Sequence, residues 1–431
     1  MQDYNRDEYS MDDAYEEKRH WRRGFFSGIL TVAFIAAAGL LVYTVLNLGS
    51  AGFRTAENSG SASVGSSQVE QKTERLKALI DQYYLDDVDE SAMVEGMYAG
   101  MLNGLGDPYT VYYTEEEFNA LMESTSGEYK GIGALMSQNI ETGIITITRP
   151  FEGCPAQQAG IIAGDIITKV NGQDVGSMEL SEVVAMIKGE AGTTVDITVY
   201  RDREELDFTV ERADIQVPTV NSKMLDDKIG YIYVMEFDEV TADQFHDALE
   251  DLKSQGMEQL VIDLRDNPGG SLDTVIQMLD EILPEGLLVY TEDKYGNREE
   301  ATSDAENYLS LPMTVLVNGN SASASEIFAG AVKDYHWATL VGTTTYGKGI
   351  VQRIFDLGDG TAAKITISKY YTPAGNNIHG IGIEPDVECI FDANAYYDNR
   401  YDNQLEKARE YLSNELGVEY VAPDNKPVAE E

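Results

Sequence analysis

Residues 313–335 read MTVLVNGNSASASEIFAGAVKDY. MTVLVNGN has the apolar, β-branched character of a strand that ends on Asn and Gly. SASEIFAGAVKDY has the spacing of a helix that follows it. Three serines, Ser321, Ser323 and Ser325, stand at this strand-to-helix junction.

The same rhythm extends in both directions. KIGYIYVMEF (228–237) reads as a strand, and TADQFHDALEDLKSQG (241–256) as a helix with Thr241 as its cap and Gly256 as its stop. QLVIDLRDN (259–267) reads as a buried strand, and residues 271–283 as a helix. DLGDGTAAKITISKYYTP (356–373) reads as a hairpin turning on Asp-Gly. Alternating strands and helices imply an α/β core over residues 214–390.

Residues 126–213 change character. GIITITRPF (143–151), TVDITVYR (194–201) and ELDFTVER (205–212) read as short strands, and Asn171-Gly172 is a turn signal between apolar runs. MELSEVVAMIKG (178–189) reads as a short amphipathic helix stopped by Gly189. Residues 69–125 are helical in pattern. Val69, Leu76, Leu79, Ile80 and Tyr83 share a face, a Gly-Asp-Pro stop follows, and Thr114 with acidic residues opens a further helix. No chemistry is legible there; the segment reads as a packing or dimerisation module, which leaves a homo-oligomer open. The tail, 391–431, holds one helical stretch, DNQLEKAREYLSNEL (402–416).

Between Gly24 and Phe53 the chain has no Asp, Glu, Lys or Arg. Residues 24–48 are long enough to cross a bilayer, which takes ~20 apolar residues. Lys18, Arg19, Arg22 and Arg23 precede the run. The positive-inside rule then puts residues 1–23 in the cytoplasm and the rest outside. The expectation is a single-pass signal anchor in the cell membrane, followed by a Gly/Ser-rich flexible linker over 49–68. A cleaved signal peptide is the competing reading.

The 431 residues carry 31 Lys+Arg against 75 Asp+Glu, a net charge of −44, which argues against nucleic acid as a partner. Two cysteines, Cys154 and Cys389, are too few for a disulfide framework and read as two separate buried thiols, with a disulfide outside the cytoplasm as the competing reading. The four histidines form no H-E-x-x-H, and no G-x-S-x-G is present. No metal and no cofactor is expected.

Three segments of the α/β region carry candidate chemistry: DLRDNPGGSL (263–272), NGNSASASEIFAGA (318–331) and GTTTYGKGIVQ (342–352). A serine at a helix N-terminus suits a nucleophile, because helix N–H groups stabilise an oxyanion; it suits a simple cap equally. A nucleophilic serine needs a base, and with histidine scarce a lysine is the alternative. Lys348 stands in a glycine-flanked, apolar-bordered loop, where burial lowers a lysine pKa; by itself it also reads as a surface lysine. Gln352 can orient that lysine without adding charge. The Asn-Pro-Gly-Gly turn offers N–H groups for an oxyanion hole, or merely ends a strand.

Two resemblances draw these pieces together. YKGIGALM (129–136) and CPAQQAGIIAGDIITKVNGQDV (154–175) resemble the carboxylate-binding loop and following strands of a PDZ domain, with its second helix starting near Glu179. In that setting the N–H groups of Gly131, Ile132 and Gly133 form a nest for a terminal carboxylate, and a bound peptide adds a strand beside residues 132–137. Seen alone, the glycines only make a turn.

Residues 70–415 resemble the C-terminal processing peptidases, or tail-specific proteases, through S-A-S-A-S-E, G-K-G-x-x-Q and D-L-R-x-N-P-G-G. The resemblance implies a crotonase-like α/β protease core with an inserted β-rich PDZ domain. It implies Ser323 as nucleophile, Lys348 as general base 25 positions later, Gln352 as its orienting partner, and Gly269 or Gly270 with Ala324 as oxyanion donors. The implied partners are proteins or peptides with free C-termini. Cys154 stands where relatives often have Ser, and Lys188 where they often have an Arg linked to PDZ-dependent regulation. A non-catalytic PDZ scaffold with a degenerate protease domain is the alternative. A PDZ-bearing trypsin-like protease lacks its G-N-S-G-G here.

Overall fold

The computed structural model describes residues 63–415, other than 226, 227, 305 and 307. The expected cytoplasmic tail, the membrane segment 24–48, most of the linker and the chain end lie outside the described residues. Among the described residues no helix is long and apolar enough to cross a membrane.

The chain divides after Asp89 into two units. The first contributes one helix, Ser67–Tyr83, whose residues are all at least partly exposed. The second unit holds everything from Glu90 onward.

Its centre is a six-stranded sheet: Val220–Met224, Ile229–Val234, Gln259–Asp263, Met313–Val317, Thr339–Gly342 and Val387–Glu388, in that spatial order. The first strand is an antiparallel edge; the other five run parallel. Each parallel step moves to the next strand in one direction. The connecting helices Thr241–Ser254, Leu272–Asp280 and Ala324–Asp334 lie on one face, as crossovers of a single hand require. Phe245, Leu249, Val275, Met278, Ile327 and Phe328 pack there against Ile232, Ile262 and Val315. Burying a residue such as Phe328 fully contributes ~2–3 kcal/mol. The other face is covered by the tail helix Asn403–Glu415, whose Ala408 and Leu412 meet Val261, Leu316 and Val341. Both faces of the central strands are thus dry, which is why Gln259–Asp263 and Met313–Val317 are buried at every position.

A second sheet lies in the same unit. Ala362–Tyr371 pairs on one side with Ile350–Asp356 and on the other with Gly286–Asp293 and the short strand Val111–Tyr113. The segment after the Gly-Asp-Pro stop is therefore a strand of this second sheet, joined at Val111 to Lys364.

The PDZ-like part is an antiparallel sheet in the order Ala134–Gln138, Ile145–Pro150, Ile166–Val170, Thr194–Arg201, Glu204–Glu211. Asn171 and Gly172 both have positive φ, 51° and 75°, as a tight hairpin turn between right-twisted strands requires. The stem Glu128–Gly131, paired with Ala213–Gln216, leads into and out of the module. Buried Arg212 donates to the carbonyls of Met186 and Ile187, closing the C-terminal end of helix Leu180–Ile187.

Two local expectations need correction. Thr241 is the first residue of its helix, and Val240 occupies the cap position. The Thr241 hydroxyl instead accepts from Asp238 N–H at 3.0 Å and pairs with Thr219 at 2.7 Å, so it closes the strand-to-helix turn. A further helix, Ala393–Asn399, precedes the tail helix; its cap, Asp392, accepts from Ala395 N–H.

Candidate active site

The three serines of the junction have different partners. Ser321 is fully buried; its hydroxyl donates to Leu264 O at 2.7 Å and accepts from Asn318 N–H at 2.9 Å. Ser325, also buried, donates to Asn267 O at 3.0 Å. Both flanking serines therefore bind the serine-rich loop to the segment 264–267. Ser323 is half-buried; its hydroxyl stands in a capping-box arrangement with Glu326 N–H but makes none of the described hydrogen bonds. Of the three, it alone keeps a hydroxyl free of these structural bonds.

The Ser323 backbone sits at φ 55°, ψ −112°, a conformation that costs an L-residue ~1–3 kcal/mol. Both sides of the residue are held. Its N–H donates to Glu326 Oε2 at 3.0 Å, and its carbonyl accepts from the buried Tyr370 hydroxyl at 3.1 Å.

Glu326 is the residue that sequence reasoning missed. Its side chain is completely buried, yet none of the described ion pairs includes it. Its carboxylate accepts from Ser323 N–H, from Thr345 Oγ1 at 2.6 Å, from Gly347 N–H at 2.7 Å and from Lys348 N–H at 2.8 Å. Those bonds offset the cost of burying the charge. They also join the serine segment to the lysine segment. The visible signal was a Glu three residues after a Ser at a helix start, which reads as an ordinary capping box.

Lys348 is half-buried. Burial and the nearby Lys364 hold its ammonium below the ordinary lysine value, against the pull of Glu326 and Asp107. Its Nζ lies 4.9 Å from the centre of the Tyr109 ring. Gln352 stands four residues on, at a β-bulge opposite Thr366, and its amide donates to Thr366 Oγ1 at 3.3 Å. The described hydrogen bonds do not join Gln352 to Lys348.

The Asn-Pro-Gly-Gly turn packs directly on the serine. A side chain at Gly269 would lie 2.7 Å from Ser323 Cβ and 2.9 Å from Ala324 N. At Gly270 it would lie 2.3 Å from Phe237 O. Gly269 N–H donates to Asn267 Oδ1 at 2.8 Å. Gly270 N–H and Ala324 N–H have no acceptor among the described hydrogen bonds, so these two remain for an incoming oxygen. Fully buried Asn267 also donates to Val234 O, which fixes the turn against the sheet.

The PDZ-like loop behaves as a close-packed backbone. Gly133 has φ 73°, and a side chain there would fall 2.3 Å from Cys154 Cβ. Ile132 is buried in the module's core, with its carbonyl accepting from Ala156 N–H at 2.8 Å. A side chain at Gly131 would lie 2.8 Å from the Tyr129 ring. Strand Ala134–Gln138 is an edge strand, with one side open to helix Leu180–Ile187. Lys188 lies over the Tyr129 ring and pairs with Glu123. Cys154 and Cys389 are both free thiols, and each is half-buried where the sequence reading implies full burial.

Comparison with known proteins places these features in context. Residues 228–389 match peptidase family S41, residues 146–201 a PDZ domain, and residues 35–117 the activating protease CtpB N-terminal domain. The carboxy-terminal processing protease CtpA of Bacillus subtilis is 35% identical over 362 residues, covering 84% of this chain and 77% of that protein. A probable CtpA-like serine protease of Staphylococcus aureus is 35% identical over 374 residues, covering 85% and 73%. Among solved structures, the photosystem II D1 C-terminal processing protease is 29% identical with a TM-score of 0.44, covering 76% of this chain and 87% of that one.

Proposed function

The chain belongs to peptidase family S41, as a CtpA-like C-terminal processing serine protease with a PDZ domain, and from that premise we propose a Ser323/Lys348 endopeptidase anchored in the cell membrane with its protease domain outside the cytoplasm. The anchoring rests on the charge-free run 24–48 behind its basic flank.

The PDZ domain takes a substrate's free C-terminus by strand addition at Ala134–Gln138, with the loop Gly131, Ile132 and Gly133 facing the carboxylate. Ser323 Oγ attacks a peptide carbonyl carbon while neutral Lys348 Nζ takes its proton. The oxygen that becomes anionic is received by Gly270 N–H and Ala324 N–H. Lys348 returns its proton to the leaving amine, and Gln352 orients the lysine. Water then attacks the acyl group with Lys348 again as base, freeing Ser323.

The observation that carries this reading is the buried Glu326 carboxylate, whose Oε2 accepts from the backbone of both Ser323 and Lys348. A shared anchor at that depth fixes two segments that are distant in sequence at one point, as a nucleophile and its base require.

The test is incubation of the protein with an unstructured substrate ending in small apolar residues, beside Ser323→Ala and Lys348→Ala, with products weighed by mass spectrometry. Cleavage by the parent alone is expected. Parent-level turnover by Lys348→Ala would assign the base elsewhere. No cleavage by any of the three would favour a PDZ scaffold.

A further inference from the structure

The turn Asp107-Pro108-Tyr109-Thr110, which carries no chemistry in the sequence reading, lies against the lysine. The Tyr109 ring centre is 4.9 Å from Lys348 Nζ. The turn is built to stay there. Asp107 accepts from Tyr109 N–H at 3.0 Å and from the Thr110 hydroxyl at 2.7 Å. Buried Thr110 accepts in turn from Thr366 N–H at 3.1 Å. Thr366 is the residue whose hydroxyl accepts from Gln352. One four-residue turn thus touches both the lysine and the anchor of its glutamine.

We propose that Tyr109 is a positioning residue of the peptidase: its ring face receives the ammonium that forms when Lys348 takes the Ser323 proton, and its turn fixes Gln352 through Thr110 and Thr366. The inference rests on the reading of Lys348 as the base.

The chemistry explains why a ring serves here. The lysine must be neutral before the attack and cationic once the serine proton has moved. A carboxylate beside Nζ would stabilise the cation at all times and hold the base protonated. An aromatic face attracts the cation more weakly and adds no charge, so it favours the charge as it develops while leaving the neutral base accessible. The other groups facing the lysine are Glu326 from its helix, Asp107 from the turn and Lys364 from the neighbouring strand. Tyr346, on the lysine's own loop, bonds the Tyr109 hydroxyl, and His379 faces Asp107. Burial and the Tyr346 bond push the Tyr109 hydroxyl up to about 12, so the ring stays neutral while the lysine titrates.

The full chain is assayed across neutral and alkaline pH with a fluorogenic peptide bearing a free Ala-Ala terminus. Tyr109→Leu, Tyr109→Phe, Tyr109→Trp and Lys348→Ala are compared with the parent. Tyr109→Leu is expected to lower kcat by about 10-fold at unchanged KM, and to move the acid limb of kcat/KM down by about 0.5–1 pH unit, because the ammonium has lost its ring. Tyr109→Phe keeps the ring and stays close to the parent in both. Loss of packing alone would lower kcat without moving the limb, so an unmoved limb in the leucine variant overturns the proposal. Equal shifts in the phenylalanine and leucine variants also overturn it, since the hydroxyl would then be the active group. Should the leucine variant fail to fold, Tyr109→Trp decides: a stronger ring face must move the limb up, and an unmoved limb is fatal. Parent-level activity in Lys348→Ala refutes the base assignment itself; an inactive Lys348→Ala beside an unmoved limb refutes only the role of Tyr109.

Discussion

Glu326 Oε2 accepts the backbone N–H of Lys348 at 2.8 Å, although the two residues lie on different elements and neither side chain completes the other's charge. The same oxygen holds Ser323 N–H at 3.0 Å. The carboxylate acts as a rivet between the helix that presents the serine and the loop that presents the lysine. Glu326→Gln turns one acceptor oxygen into a donor amide facing N–H groups. The expected result is a loss of kcat of about 100-fold with KM within a few-fold of the parent. Glu326→Ala leaves three backbone N–H groups and the Thr345 hydroxyl without their acceptor and should cost about 3–5 kcal/mol of stability. Steady-state kinetics and urea melts check both.

The strain at Ser323 gives a second, independent expectation. At φ 55° and ψ −112° a Cβ is unfavourable and glycine is not. Both Ser323→Gly and Ser323→Ala should be inactive. The glycine variant should nevertheless be the more stable of the two, by about 1 kcal/mol in denaturant melts. The reverse order would mean that the backbone is not strained in solution.

The α/β rhythm was legible because Leu260-Val261-Ile262 and Val315-Leu316-Val317 are continuous apolar runs, and the helices between the strands keep a helical spacing. Ser323, Lys348 and Gln352 were legible only as a motif. Nothing in the spacing alone separates Ser323 from Ser321 and Ser325; the structure does so by giving the outer two buried carbonyl partners. Glu326 and Tyr109 stayed hidden for different reasons. A glutamate in a first helical turn reads as an ordinary capping-box partner, and its burial depends on a loop 21 positions away. Tyr109 reaches Lys348 through pairing of Val111 with Lys364, a contact between segments far apart in the chain that no local pattern encodes.

Gly133→Ala should separate binding from hydrolysis. The new methyl group would lie 2.3 Å from Cys154 Cβ on a backbone at φ 73°, so the carboxylate loop must shift. Affinity for a peptide with a free C-terminus should fall at least about 10-fold by fluorescence anisotropy, as expected when backbone donors lose their alignment. Thermal stability should fall by about 1–3 kcal/mol. Unchanged affinity would move peptide recognition away from this loop.

Asp238 makes stability fall with rising pH. It is 8% exposed, it is paired with no cation among the described ion pairs, and Glu236 lies nearby. Burial, then the like charge of Glu236, push its carboxyl up to about 7. The folded protein therefore holds a proton between about pH 4 and 7 that the unfolded chain has released. With more protons bound in the native state, stability declines as pH rises through that window and levels off above it. The strain falls on a sensitive place: Phe237, the adjacent residue, accepts Ser271 N–H at 2.7 Å and pairs with Gly270 of the candidate oxyanion turn. Asp238→Asn keeps the shape and removes the proton equilibrium. It should be more stable than the parent at pH 8 by about 2 kcal/mol, after allowance for residual hydration, and nearly equal to it at pH 4. Urea melts at the two pH values measure the difference. A gap of equal size at both would trace the effect to hydrogen bonding by the amide and not to a buried carboxylate.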